Sequence, residues 1–224
     1  MSEKIKRMFA DISAKYDILN DLLSFGSHRI WKNKLIKLSQ VKSNSKVLDI
    51  ATGTGDIAYL FSKKSKSVTA IDFTPEMINL AKKRFKDSNI TFIIADALEL
   101  PFEDNYFDIV SISFGIRNVD DINQAIREMH RVLRSNGKMM ILEFGQAVPP
   151  FSYLYNFYSK YVIPIIGKIV SKNNFAYNYL PESASLFPSG NNFVKIINDL
   201  NLFHNVKMYR LFYGIAYIYI GIKL

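Results

Sequence analysis

The stretch Val47–Ala58, VLDIATGTGDIA, decides how the chain is read. Its apolar, β-branched start (Val47, Leu48, Ile50) reads as a strand. Small residues then form a turn carrying Gly53 and Gly55, and a helical pattern opens at Asp56. A strand, a glycine turn and a helix N-terminus let backbone approach a ligand closely and aim free N–H groups at it. The spacing also satisfies G-x-G-x-x-A, which dinucleotide-binding proteins share, so the glycines alone leave the ligand open.

The acidic residues around the turn narrow the choice. Asp49 precedes it and Asp56 follows it. A dinucleotide would set its pyrophosphate at this helix N-terminus, beside Asp56. At ~5 Å and an effective dielectric of ~20, two like charges cost roughly 3 kcal/mol. S-adenosylmethionine (SAM) carries a sulfonium, an α-amino group and free ribose hydroxyls, and no phosphate, so it meets no such conflict. Asp72 ends a second apolar run, Val68–Ile71, at the place where a carboxylate accepts both ribose hydroxyls. That placement suits NAD equally. Asp49 as a strand-end residue and Asp56 as a helix cap are the plainer alternatives.

Outward from this stretch the chain alternates. Strands are expected at 46–50, 67–72, 90–95, 107–113 and 137–144. Helices are expected at 56–64, 75–87 and 121–134, with a short helical piece near Asp120 and Asp121. Thr74-Pro75-Glu76 is a good helix start with proline at its first position, and Ser135-Asn136-Gly137 reads as the turn after the long helix. Alternation implies an α/β fold, a parallel sheet with helices on both faces. Right-handed crossovers bring the strand ends to one rim, carrying Thr54, Asp72, Asp96, Ser113 and Glu143. Residues 1–45 read as a helical N-terminal cap and 46–145 as the SAM-binding core of a single methyltransferase domain. The Pro-, Tyr- and Phe-rich segment 146–190 reads as a helical lid insertion over the rim, with extra core helices as the alternative. Residues 191–224 read as a helix and a β-hairpin turning at Tyr213-Gly214.

Composition bounds the rest. With 224 residues the chain can bury one large core. It has no cysteine, so disulfides, thiolate zinc sites and a cysteine nucleophile are excluded. The formal charge of +9 admits nucleic acid or an anionic membrane surface as partner, or a merely lysine-rich surface. No compact Arg/Lys block with interleaved aromatics marks a nucleic-acid groove, so no nucleic acid is expected. No signal peptide opens the chain. The most apolar stretch, Tyr153–Val170, is interrupted by Asn156, Lys160, Pro164 and Lys168, so no transmembrane helix is expected. A cytoplasmic protein follows, with a homodimer admitted but not required. His28, His130 and His204 are scattered, and no metal-ligand spacing appears.

Longer segments now become recognisable. YDILNDLLSFGSHRIW (16–31), ALELPFEDNYFD (97–108), SFGIRNV (113–119) and YNYLPES (177–183) together resemble the UbiE/MenG/Coq5 family, C-methyltransferases of menaquinone and ubiquinone biosynthesis. RVLRSNGKMMILEF (131–144) departs from the family pattern: Ser135-Asn136-Gly137 stands where Pro-Gly-Gly is usual, and Gly145 where serine is usual. The resemblance implies a class I SAM-dependent methyltransferase, with a seven-stranded, mostly parallel sheet and an antiparallel last strand. It implies methylation of a ring carbon on a polyprenylated quinol, with SAM as co-substrate. It carries Thr54, Asp72, Asp96, Ala97 and Ser113 over as SAM contacts, beside Asp49, Gly53 and Gly55 from the turn itself.

The chemistry needs alignment and an electron-rich carbon. Deprotonating a quinol hydroxyl makes a phenolate, and positioning alone supplies roughly 7–11 kcal/mol. His28, with an ordinary pKa near ~6.5, suits a general base. Arg117 cannot be a base at neutral pH but can stabilise a phenolate, and Asn118 can hydrogen-bond a quinol oxygen. Each also has a plain structural use: local packing for His28, a salt bridge for Arg117, a turn for Asn118. The aromatic stretch 151–180, with Lys160, Lys168 and Lys172, is the expected channel for a prenyl tail and for transient contact with the membrane surface.

Overall fold

The computed structural model describes residues 7, 20, 21, 24, 26–86, 88–162, 165, 179 and 182–224. Tyr16 and Asp17, most of the N-terminal helical pattern, and Lys168 and Lys172 of the insertion lie outside the described residues. So does the side chain of Lys160.

Seven strands form one sheet: β1 (Lys46–Ile50), β2 (Ser67–Asp72), β3 (Ile90–Ile94), β4 (Phe107–Ser113), β5 (Leu133–Phe144), β6 (Phe203–Leu211) and β7 (Ala216–Lys223). Their spatial order is β3-β2-β1-β4-β5-β7-β6. The pairs β1–β2, β1–β4, β2–β3 and β4–β5 are parallel. β7 runs antiparallel to both β5 and β6. The expected architecture is therefore present, with the final strand wedged between two earlier ones.

Strand sequences explain the layering. β1, β4 and β5 are covered on both faces, so both alternating sets of side chains are apolar. Leu48, Ile112 and Ile141 face one core with Ile126, Met129 and Phe193. Val47, Ile109 and Met140 face the other with Leu35, Phe61 and Ile78. Helices α1 (Ser27–Ser39), α2 (Asp56–Ser62) and α3 (Pro75–Arg84) cover this second face. α4 (Ile122–Val132) and α6 (Asn191–Asp199) cover the first. α5 (Phe151–Phe157) opens the insertion and continues as a wider turn over Tyr158–Val162. Among the described residues no helix is long and apolar enough to cross a membrane.

Three local expectations are corrected. The helical piece after β4 is a tight turn at Ile116–Asn118, earlier than Asp120. Asp121 instead caps α4 by accepting from the Gln124 N–H at 3.0 Å. Ser135-Asn136-Gly137 does not separate helix from strand. Leu133 already pairs with Phe107, and the register then slips so that Ile109 meets Lys138. The three turn residues form a bulge inside β5, with Asn136 at φ 62°.

One charge cluster shapes the rim. Glu128 accepts from the Leu100 N–H at 2.8 Å, and Arg131 donates to the Leu100 and Phe102 carbonyls at 2.8 and 2.7 Å. Arg131 also grips Glu128 and Asp104. This seats the segment leading from Asp96 towards β4. Arg131→Gln should cost about 2 kcal/mol, the worth of charge-assisted bonds to backbone, read as a lower urea midpoint at unchanged slope.

Candidate active site

At the carboxyl ends of β1 to β4 lies a cleft open to solvent. Its first wall is the turn after β1, with Ile50, Ala51 and Gly53. Gly53 sits at φ 56° and Gly55, capping α2, at φ 89°, backbone that glycine adopts without strain. The opposite wall is Ser113, Phe114 and Gly115 after β4. Ala51 and Phe114 also hold left-handed backbone, at φ 52° and 57°, a cost that rim residues at functional sites carry. The two turns press together: a side-chain carbon on Gly115 would lie 2.5 Å from the Ala51 Cβ.

Asp72 closes the end of β2. Its carboxylate accepts from the Gly53 N–H at 2.9 Å and the Thr74 N–H at 2.8 Å. Burial pushes its pKa up, opposed by these backbone bonds. The Thr74 hydroxyl and the Phe73 N–H act on it as well, and Asp72 lines the cleft. Asp96 and Ala97 line the next wall, and Asp96 accepts from the Leu98 N–H at 2.9 Å. The Ser113 hydroxyl is buried without a hydrogen-bond partner among the described residues. Among the described residues, two carboxylates and no Lys, Arg or His line the cleft.

Not every expected residue reaches the cleft. Asp49 is buried beneath it, accepting from Thr52 and Ser111 hydroxyls at 2.7 Å each. Thr54 is buried behind the turn, where its hydroxyl accepts from Arg84 at 3.4 Å. Gly55 packs towards the Phe85 ring. Asp56 is gripped by Lys32 at 2.8 Å and by Arg84 at 2.9 Å. Its charge is compensated, so the repulsion expected there against a diphosphate is largely offset. The preference for a cationic ligand rests on Asp72 and Asp96 instead.

On the acceptor side, Asn118 lines the cleft and accepts from the Tyr179 hydroxyl at 2.8 Å. Arg117 turns inward, in the salt-bridge arrangement given above as its plain structural use. It forms a buried ion pair with Glu143 at 2.5 Å and donates to the Phe114 carbonyl at 2.8 Å and the Ser183 hydroxyl at 3.2 Å. His28 lies at the start of α1, buried, with its Nε2 2.8 Å from Asp21. Burial lowers its pKa, against the pull of Asp21. His130 packs edge-on to Phe203 and His204 lies on β6. Sequence reasoning overlooked Ala51, Phe114, Gly115 and Tyr179 as rim residues. The motif SFGIRN carried the signal for two of them.

Residues 1–223 match the model of the ubiE/COQ5 methyltransferase family. The chain belongs to that family. A relative from Bdellovibrio bacteriovorus, named ubiquinone/menaquinone biosynthesis C-methyltransferase UbiE, is 45% identical over 224 residues, covering 98% of this chain and 95% of that one. One of the same name from Rickettsia bellii is 44% identical over 232 residues, covering 98% and 92%. Solved structures share the fold. A SAM-dependent methyltransferase from Thermotoga maritima superposes with a TM-score of 0.69 at 18% identity, covering 97% of this chain and 99% of its own. Phosphoethanolamine N-methyltransferase 2 of Haemonchus contortus, solved with SAM, gives 0.66 at 16% identity, covering 86% of this chain and 52% of its own. SAM is the co-substrate of this ubiE/COQ5 methyltransferase, and the cleft's carboxylates and orphaned Ser113 hydroxyl fit it.

Asp49 gives the site a pH signature. Burial pushes its pKa from 3.8 to about 6. Between those values the folded chain binds a proton that the unfolded chain has lost, so this group's contribution to stability falls as pH rises and is flat above. The gap corresponds to ~3 kcal/mol. Asp49→Asn should therefore unfold at higher urea than the parent at pH 7.5 and converge with it near pH 4. It should also bind cationic SAM more weakly at pH 7.5 by titration calorimetry.

Proposed function

We propose that this protein methylates a ring carbon of a polyprenylated quinol, converting demethylmenaquinol to menaquinol. The alternative acceptor is the polyprenyl methoxybenzoquinol of the ubiquinone pathway, alone or beside the naphthoquinol, a reading supported by the relatives' printed name, which joins both quinones. One observation carries the reading: among the described residues, Asp72 and Asp96 line the cleft with no cationic side chain, and the Phe73 and Phe114 rings stand in the same lining.

SAM supplies a methyl group on a cationic sulfur that leaves as a neutral thioether. Asp72 takes the ribose hydroxyls, Asp96 and the Ala97 backbone flank the adenine, and Gly53 and Ser113 contact the remainder. Asp49, beneath the turn, contributes negative potential under the sulfonium. Asn118, braced by Tyr179, orients a quinol oxygen. Arg117 acts through the rim, holding Asn118 and Phe114 in place from its bond to Glu143. His28, neutral because it is buried and oriented by Asp21, takes the hydroxyl proton. The resulting phenolate forms the carbon–carbon bond, and loss of the ring C–H proton restores aromaticity.

Segment 146–190 serves as a lid. Its bonds from Tyr179 to Asn118 and from Arg117 to Ser183 support that role. Tyr153, Phe157, Tyr161 and Ile165 of this segment, with Phe212 and Tyr213 of the β6–β7 turn, are exposed. Phe151 and Tyr213 stack at 5.4 Å, joining the two groups. Together they form an interfacial surface for transient membrane contact, suited to collecting a lipid-dissolved substrate.

The test is incubation with labelled SAM and either demethylmenaquinol or the demethylated benzoquinol, read by mass spectrometry. Methyl incorporation into the naphthoquinol is expected, and incorporation into neither ring would overturn the reading. His28→Asn should lower kcat by ~10²-fold or more with SAM affinity unchanged, and abolish the acid limb of the pH profile, which lies below 6.5 in the parent. Flotation should show the protein rising with anionic liposomes and less with neutral ones. Tyr153→Ser combined with Tyr213→Ser should keep it in the soluble fraction.

A further inference from the structure

Among the described residues, the 146–190 segment reaches a cleft-lining side chain through a hydrogen bond from Tyr179. This residue, in helical backbone, donates its hydroxyl to Asn118 Oδ1 at 2.8 Å. Four residues on, the Ser183 hydroxyl accepts from Arg117 Nε at 3.2 Å. The end of the segment is pinned just beyond β5. Gln146 Nε2 donates to the Ser185 and Phe187 carbonyls at 3.0 Å each, and the Ser189 hydroxyl donates to Gln146 Oε1 at 2.6 Å.

The Tyr179 bond fixes which end of the Asn118 amide is taken. Asn118 is 8% exposed, and its backbone is set by the Ile116–Asn118 turn, where its N–H donates to the Gly115 carbonyl at 3.0 Å. Its Nδ2 makes no hydrogen bond among the described residues. Yet the enclosed side-chain atoms without a partner there are Trp31 Nε1, Ser113 Oγ and His204 Nδ1. The amide nitrogen therefore meets accessible space, and the space that Asn118 lines is the cleft. A side-chain amide has two N–H donors and one carbonyl acceptor. With the carbonyl engaged by Tyr179, the cleft is offered donors.

The rest of the lining makes that polarity matter. The other polar side chains described there are Asp72, Thr74, Asp96 and Ser113. Two are carboxylates, the Thr74 hydroxyl bonds to Asp72, and Ser113 belongs to the SAM contacts proposed above. An acceptor oxygen that gains negative charge is opposed by the carboxylates and needs a donor. The Asn118 amide supplies one.

We propose that Tyr179 is a positioning residue that makes Asn118 an oxyanion donor, so that the methyl acceptor is held as its phenolate while this segment is seated. This rests on the quinol reading above and adds how the ionised ring is selected. A hydrogen bond to a charged oxygen is roughly twice as strong as one to a neutral oxygen, so the amide favours ionisation of the bound phenol. When Tyr179 moves away, the amide is free to turn its carbonyl inward, and the preference for the phenolate is lost. Activation of the acceptor is thereby coupled to the seating of the segment on the rim.

The first test exchanges the polarity of the amide. Asn118→Asp keeps the shape and puts a charged acceptor where the donors were, whereas Asn118→Ala removes both ends. For demethylmenaquinol, kcat/KM should fall about 10- to 100-fold in Asn118→Ala, the range for a hydrogen bond to a charged group, and further in Asn118→Asp. An amide that accepts the quinol proton through Oδ1 gives the reverse order. The second test follows the ionisation of 1,4-dihydroxynaphthalene by its absorbance, anaerobically, with the protein saturated with S-adenosylhomocysteine. Binding to the parent should lower the ionisation midpoint by about one pH unit, a tenfold gain. Tyr179→Phe keeps the ring, removes the hydroxyl and should abolish most of that displacement. SAM affinity and thermal midpoint identify the folded variants.

A midpoint that stays put on binding to the parent, or moves equally in Tyr179→Phe, would overturn the assignment. So would an Asn118→Asp protein at least as active as Asn118→Ala. Each of these results leaves the quinol reading standing as long as the parent methylates a quinol. A parent that binds SAM and methylates neither quinol would remove both.

Discussion

The Asp72 carboxylate is the joint on which the rim is built. It accepts one backbone N–H from the glycine turn after β1 and one from the turn after β2. Taking a carboxylate out of water is expensive, and bonds to charged acceptors at backbone N–H groups are among the few that offset it. It ties the turn after β1, where Ala51 and Gly53 hold left-handed backbone, to the extended Thr74 after β2, beside the bond from the Thr52 N–H to the Ile71 carbonyl at 2.9 Å. With it, Gly53, Asp72, Phe73 and Thr74 form a continuous edge of the cleft. One residue thus fixes the shape of the pocket and supplies a group that a ribose can use.

Charge is sorted by depth around this joint. Carboxylates line or underlie the cleft, at Asp49, Asp72 and Asp96. The cations stand behind: Lys32 and Arg84 on Asp56, Arg117 on Glu143, Arg131 on Glu128 and Asp104. Each of these cations is tied to a carboxylate and steadies a turn or loop. The net charge of +9 is therefore no guide to the pocket, which is acidic. A buried pair such as Arg117–Glu143 adds little net stability compared with apolar packing, but removing one partner would strand the other. Its value is positional, holding the Ile116–Asn118 turn against β5.

The β/α alternation, the rim and Asp72 were legible because each is a local pattern: apolar runs, glycine spacing and a carboxylate at a strand end. The pairings were not. Arg117 and Glu143 are 26 residues apart and Lys32 and Asp56 are 24 apart, and nothing in either neighbourhood marks the partner. That is why Arg117 read as a substrate contact and Asp56 as an uncompensated charge. The bulge in β5 escaped for a related reason. Ser135-Asn136-Gly137 has the composition of a turn, and only the pairing of Leu133 with Phe107 draws it into the strand.

The position of β7 has a consequence for how the molecule comes into being. Because this strand fills the gap between β5 and β6, neither of those can complete its ladder until the chain has been made through Lys223. A nascent polypeptide that has emerged only as far as Leu211 therefore carries a bare edge on β5, whose inner residues are among the most apolar in the protein. Such an edge is a template for illegitimate pairing between chains. Translation that stalls inside the final hairpin would leave a species needing chaperone cover, although every residue of the cleft had already left the ribosome.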